Sequence, residues 1–130
     1  MIFVDTNYFL RYFINDGSLQ HQEAVSLFLA AGKGEKNLIT SIIVVFEIFW
    51  ILGSVYKLNK LKKISIIQDL LNMTFIKIEE RNFLQKSLKI YKTTSLQIED
   101  CYNLIYFYEN KIKEMATFDK KLKKIVNKLS

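Results

Sequence analysis

From Ile42 to Leu52 every residue is apolar except Glu47. A helix that is apolar nearly all round belongs in an interior, so this run predicts a buried helix with the rest of the chain folded about it. It is too short to span a bilayer, and a charge interrupts it. A carboxylate at its centre costs several kcal/mol unless something pairs it. Two readings stay open for Glu47: a salt bridge to a lysine or arginine from elsewhere, or a metal ligand facing a cleft. The surrounding chain is long enough to bury such a helix, with 130 residues, one domain's worth. Half of them are hydrophobic and 25% are charged, which excludes a disordered chain. Zero prolines and four glycines exclude collagen-like and low-complexity chains.

Cys101 is the single cysteine and has no partner for an internal disulfide. A disulfide-stapled secreted module is excluded, and a cytoplasmic setting is expected. Met1 to Val4 run straight into Asp5 without a basic-then-apolar leader. The formal net charge is +6, with lysine supplying all the basic residues except Arg11 and Arg81. A basic soluble domain favours a polyanionic partner, nucleic acid before membrane. AT-rich coding produces the same lysine excess without any binding role, so the positions of the acids carry more information.

Short apolar runs alternate with helical patterns. Ile2-Phe3-Val4 reads as a buried strand, Asn37 to Thr40 as a second and Thr74 to Ile78 as a third. Met115 to Thr117 reads as a fourth. Helices are expected over 8–13, 18–31, 42–57, 61–71, 79–93 and 98–113, with Ser41 capping the third. A last helix starts at Asp119, with Leu122, Ile125 and Leu129 inward and Lys120, Lys121, Lys123, Lys124 and Lys128 outward. Strands alternating with helices predict an α/β fold with a parallel sheet covered on both faces, in one domain over residues 1–130.

Four acids stand where such a fold gathers ligands. Asp5 follows a strand, at the end that faces the crevice of an open parallel sheet. Asp100 opens a helix and shares a face with Asn103, Leu104 and Phe107. Asp119 follows the expected fourth strand, where an N-cap is an equally good account. A cap and a ligand are compatible, since a carboxylate has several lone pairs. With Glu47 these acids form an oxygen-only set that selects a hard cation, Mg²⁺ or Mn²⁺. Such ions generate hydroxide and clamp phosphoryl oxygens. An acidic metal pocket in a basic surface is the layout of a nuclease.

These residues resemble the PIN-domain (PilT N-terminal) ribonucleases. Val4-Asp5-Thr6-Asn7 resembles the family's opening motif, Thr40-Ser41 with Glu47 its second acidic motif, Asp100 its third, and Ala116-Thr117-Phe118-Asp119 its fourth. The length resembles the VapC-type toxins of bacterial toxin–antitoxin pairs. The resemblance implies a three-layer α/β/α sandwich and a Mg²⁺- or Mn²⁺-dependent endoribonuclease that cleaves RNA with metal-activated water. It also implies a homodimer and a cognate antitoxin partner. Its metal-binding, catalytic acids map onto Asp5, Glu47, Asp100 and Asp119, with Thr6 and Thr117 supporting by hydrogen bonds. Two departures stand out: Asn110 to Glu114 supplies a turn without the usual glycine, and Gln97 stands where relatives often carry an acid.

Other chemistries fit less well. Two-histidine acid–base cleavage is excluded, because His21 is the sole histidine. Glu109-Asn110-Lys111 mimics the Glu-x-Lys of restriction-type nucleases but lies at a helix end. A phosphate-binding glycine loop is absent. A receiver-like domain wants paired acids after the first strand, and here Asp5 is alone. A non-catalytic PIN-like RNA-binding or interaction module is the remaining alternative. Lysines 57–63 and those of the last helix are candidates to hold RNA phosphates, and Arg11 to contact RNA or an antitoxin carboxylate.

Overall fold

The computed structural model describes residues 1–129, with side chains through Lys128. The chain divides into two compact units, Met1–Glu80 and Arg81–Ser130.

The first unit carries β1 (Ile2–Phe3), α1 (Thr6–Phe13), α2 (Leu19–Gly32), β2 (Leu38–Thr40), α3 (Ile42–Ser54), α4 (Lys60–Leu71) and β3 (Ile76–Ile78). The strands pair in parallel in the order β1-β2-β3. Ile2 lies opposite Leu38, and Leu38 opposite Ile76. Parallel strands need helical crossovers, and two helices fill each one here. The expected α/β class and short parallel sheet are therefore present.

Local chemistry sets the helix starts. Ser18, Ser41 and Asn59 each cap a helix by accepting a backbone N–H three residues on, from His21, Val44 and Lys62. Gly34, at φ 82°, closes α2, with the Glu35 N–H donating to the Ala30 carbonyl at 2.9 Å. The crossover between β1 and β2 packs around Phe28, whose ring centroid lies 4.8 Å from Tyr12 and 5.5 Å from Phe9. The expected burial of β1 is only partly present. Val4 is buried, while Ile2 and Phe3 are 38% and 56% exposed. β1 is an edge strand with one paired neighbour, so little covers its first two residues.

The second unit carries α5 (Arg81–Thr93), α6 (Ile98–Glu109) and α7 (Lys120–Leu129). α5 and α6 pack together through Leu84, Leu88 and Tyr91 on one and Cys101, Leu104 and Ile105 on the other, all buried. Cys101 is buried and forms no disulfide. On α7, Leu122 and Val126 are buried and Ile125 half-buried, with the five expected lysines exposed. The expected inward placement of Leu129 falls outside the described side chains.

Two expectations fail here. α6 stops at Glu109 rather than near Lys113, because Lys111 takes φ 55° and turns the chain. The Ile112 N–H then donates to the Phe107 carbonyl at 3.0 Å, the bond that closes a helix at a left-handed residue. The fourth strand at Met115–Thr117 does not form; residues 112–119 carry no regular secondary structure. Glu114 and Ala116 are exposed and Phe118 is fully so, which leaves the run without the buried face a strand needs. No described helix is long and apolar enough to cross a membrane.

Lys111 occupies a position that favours glycine, since a left-handed residue with a Cβ costs roughly 1–2 kcal/mol. Lys111→Gly should stabilise the protein by about 1 kcal/mol in urea unfolding. A loss of stability would show that the lysine side chain contributes more than its backbone conformation costs.

Candidate metal centre

The first unit holds Asp5 and Glu47. Asp5 ends the β1 segment and caps α1, its Oδ1 accepting the Thr6 N–H at 2.7 Å. One end of the sheet is tied down beside it: Thr40 Oγ1 donates to the Val4 carbonyl at 2.8 Å, and both residues are buried. Asp5 itself remains exposed, at the carboxyl end of its strand. Thr6 is 4% exposed, and its Oγ1 has no hydrogen-bond partner among the described residues. A buried hydroxyl without a partner is uncommon and costly, so its position next to Asp5 is notable.

Glu47 does not meet the premise on which it was singled out. α3 buries Val44, Val45, Ile48, Phe49 and Leu52. Its other face is open, with Ile43 71% and Trp50 66% exposed and Glu47 between them at helical spacing. The helix is apolar all round but buried on one side only. The Glu47 carboxylate is therefore solvated. It makes no ion pair among the described residues, so the salt-bridge reading falls with the burial.

The second unit holds Asp100 and Asp119. Asp100 is half-buried in the first turn of α6, where carboxylates complement the helix dipole. It lines a cleft of ≈ 460 Å³ with Asn103, Glu114 and Thr117, over an apolar wall that includes Phe107 and Leu122. Asp119 is exposed and caps α7, its Oδ1 accepting the N–H groups of Lys121 at 2.8 Å and Leu122 at 3.1 Å. Thr117 Oγ1 in turn accepts the Asp119 N–H at 3.0 Å. Oδ2 of Asp119 carries no hydrogen bond among the described residues.

Glu114 is the residue that sequence reasoning passed over. It was assigned to a turn, and the structure sets it around the same cleft as Asp100. The early stop of α6 brings it there, and the sequence signal for that stop was a lysine where glycine is usual. Among the described residues no three acids, histidines or cysteines gather within reach of one ion. The oxygens that line the cleft, from Asp100, Asn103, Glu114 and Thr117, are of the hard type a divalent cation takes, with no imidazole or thiolate among them.

The discounted groups are occupied elsewhere. Arg11 Nη1 pairs with Asp16 Oδ2 at 2.7 Å on an exposed loop. Hydrogen bonds from Ser18, followed by the Arg11 charge, hold the Asp16 carboxyl below its ordinary value. His21 Nδ1 lies 2.6 Å from the Arg11 carbonyl, which can only accept, so this nitrogen carries the proton. Glu109 pairs with Lys86, which removes it from any Glu-x-Lys chemistry.

The family model of the PIN domain matches residues 2–128. The chain belongs to the PIN domain family. Among solved structures it is similar to Mycobacterium tuberculosis VapC20, described as a Sarcin-Ricin loop cleaving toxin. The identity is 17% over 96% of this chain and 95% of that chain, with a TM-score of 0.45. No curated relative matches. The PIN match spans both units and all four motifs singled out in the sequence.

Thr6→Val removes the unpartnered hydroxyl and nearly keeps the shape. An unsatisfied buried group costs about 1–3 kcal/mol, so this variant should be as stable as the parent or up to about 1 kcal/mol more stable. Chemical denaturation measures it, and a clear loss would mean that the hydroxyl has a partner, such as a bound water.

Proposed function

We propose that this PIN-domain protein is a Mg²⁺- or Mn²⁺-dependent endoribonuclease and the toxin of a toxin–antitoxin pair, working as a single domain over residues 1–130 in the cytoplasm. The observation that carries the reading is the Asp100 cleft, where oxygen donors of a hard-metal type open to solvent. Family membership supports it. The proposed metal-binding acids are Asp5 and Glu47 in the first unit and Asp100 and Asp119 in the second, with Glu114 beside Asp100 in its cleft. An ion held by such acids would supply Lewis acidity, lowering the pKa of water and neutralising phosphoryl charge.

The chain's own groups prepare that chemistry. Asp119 commits Oδ1 to the α7 amides and keeps Oδ2 for an ion or for orienting water. Thr117 fixes the Asp119 backbone through its hydroxyl. Thr6 holds a spare hydroxyl proton one residue from Asp5. Glu47 is exposed on α3, where a cation can reach its carboxylate without any buried charge having to be kept unpaired.

Asp100→Asn should abolish divalent-dependent cleavage of RNA, because a neutral amide is a poor ligand for a hard ion. Incubating parent and variant with total RNA, in Mg²⁺ or in EDTA, tests this. Cleavage at the parent's rate by the variant would remove Asp100 from the site. An inactive parent would favour a non-catalytic module.

We also propose a homodimer and a cognate antitoxin that covers the site. Trp50 and Ile43, exposed on α3 on either side of Glu47, support an apolar surface for the antitoxin that covers the site, and Tyr8, 39% exposed on α1, is left for the contact between copies. Light scattering at micromolar concentration should return twice the chain mass of 15.4 kDa. A monomer mass overturns the dimer and leaves the nuclease reading standing.

A further inference from the structure

We infer that a lysine-lined cleft in the second unit is a binding track for the phosphodiester backbone of single-stranded RNA. Lys121, Lys124 and Lys128 of α7 border a cleft of ≈ 240 Å³ together with Thr94, Ser95 and Leu96 of the α5–α6 connection. Ile125 completes its floor beside the buried Leu96. The proposal rests on the ribonuclease reading and adds to it where the chain is held.

Three observations favour this occupant. First, the lysines stand at i, i+3 and i+7, so they run along one helix face. At 1.5 Å rise per residue they extend over about 10 Å, a row suited to successive phosphates rather than a cup around one. Second, none of the three makes an ion pair among the described residues. The described residues of α7 include no acid to neutralise them. Their charge is available to a polyanion. Third, the floor is apolar and the rim carries the exposed Ser95 hydroxyl. Sugar edges and phosphate oxygens find both kinds of contact there. The hydroxyl of Thr94 is already engaged, donating to the Ile90 carbonyl at 2.9 Å, and fixes the connection instead. These contacts carry no base readout, so the track adds affinity and register rather than sequence preference.

The test is equilibrium binding of a fluorescent single-stranded RNA of mixed sequence in EDTA, across a salt series. It compares the parent, K121Q/K124Q/K128Q, K124Q alone, and the control K33Q/K36Q/K77Q, which removes equal charge from exposed sites of the first unit. Glutamine matches lysine in helix propensity, and the single variant covers the case in which the triple variant does not fold. Each lost phosphate contact on a single strand lowers the slope of log K against log salt by about 0.7. The triple variant should thus lose up to about 2 in slope and bind at least tenfold more weakly near 0.1 M salt. K124Q should lose about 0.7, and the control should bind like the parent. Equal weakening in the control means a general charge effect and overturns the track. RNA affinity and slope unchanged in the cleft variants overturn it as well, even if they lose affinity for poly-glutamate, which would assign the cleft to an acidic protein segment. Cleavage by the parent in Mg²⁺ is scored separately, so failure of the track and failure of the nuclease reading are told apart.

Discussion

The parallel pairing of β1, β2 and β3 is the constraint on which the first unit depends. The strands are two or three residues long, too short for ladder bonds alone to hold their register. Register comes from what lies on either side. Leu38 and Ile76 are buried opposite each other, and the Thr40 hydroxyl reaches across to the Val4 carbonyl. That bond joins β2 to the end of the β1 segment at the point where the chain turns into α1. Parallel order then makes each crossover leave from the same end of the sheet, so Asp5 and the α3 cap Ser41 begin their helices there. Where the first two motifs lie follows from strand direction, independently of any ligand.

The second unit is organised differently. Its described residues include no strand, and its order comes from two helices packed over Leu84, Leu88, Tyr91 and Leu104. α7 follows after an irregular stretch that opens the Asp100 cleft on one side. The left-handed turn at Lys111 shapes that stretch: it ends α6 early and frees Ile112 to Asp119 from helix and strand alike.

Much of this was legible in the sequence. Three strands, seven helices and the caps Ser41 and Asp119 follow from apolar period and capping chemistry, which act locally. The unreadable parts depended on neighbours. Glu47 looked buried because amphipathicity reports which residues are apolar, not which face finds cover, and Ile43 and Trp50 stayed in solvent beside it. Met115 to Thr117 looked like a strand by composition, but strand formation needs a paired edge and a covered face. Glu114 was hidden by the same error, since its place beside the cleft depends on where α6 stops. Asp100 was legible because a shared helix face with Leu104 and Phe107 is fixed by the 3.6-residue period alone.

Three of the four proposed ligands sit at helix N-termini, and this position has opposing consequences for a cation. Asp5 and Asp119 each accept backbone N–H groups through one carboxylate oxygen, which fixes the side chain before any ion arrives. Ordering entropy that a free carboxylate would lose on binding has already been lost on folding. The same amides present the positive end of the helix dipole, which opposes a cation by about 0.3–1 kcal/mol per exposed terminus. A site built only from caps would therefore be well ordered but weakly attractive. Glu47 differs: it lies in the body of α3, solvated, and without N-terminal amides bonded to it. In the proposed set its charge is the one not offset by its own helix. Within the first unit, the proposed roles are thus complementary: the cap Asp5 would supply position and the mid-helix Glu47 attraction.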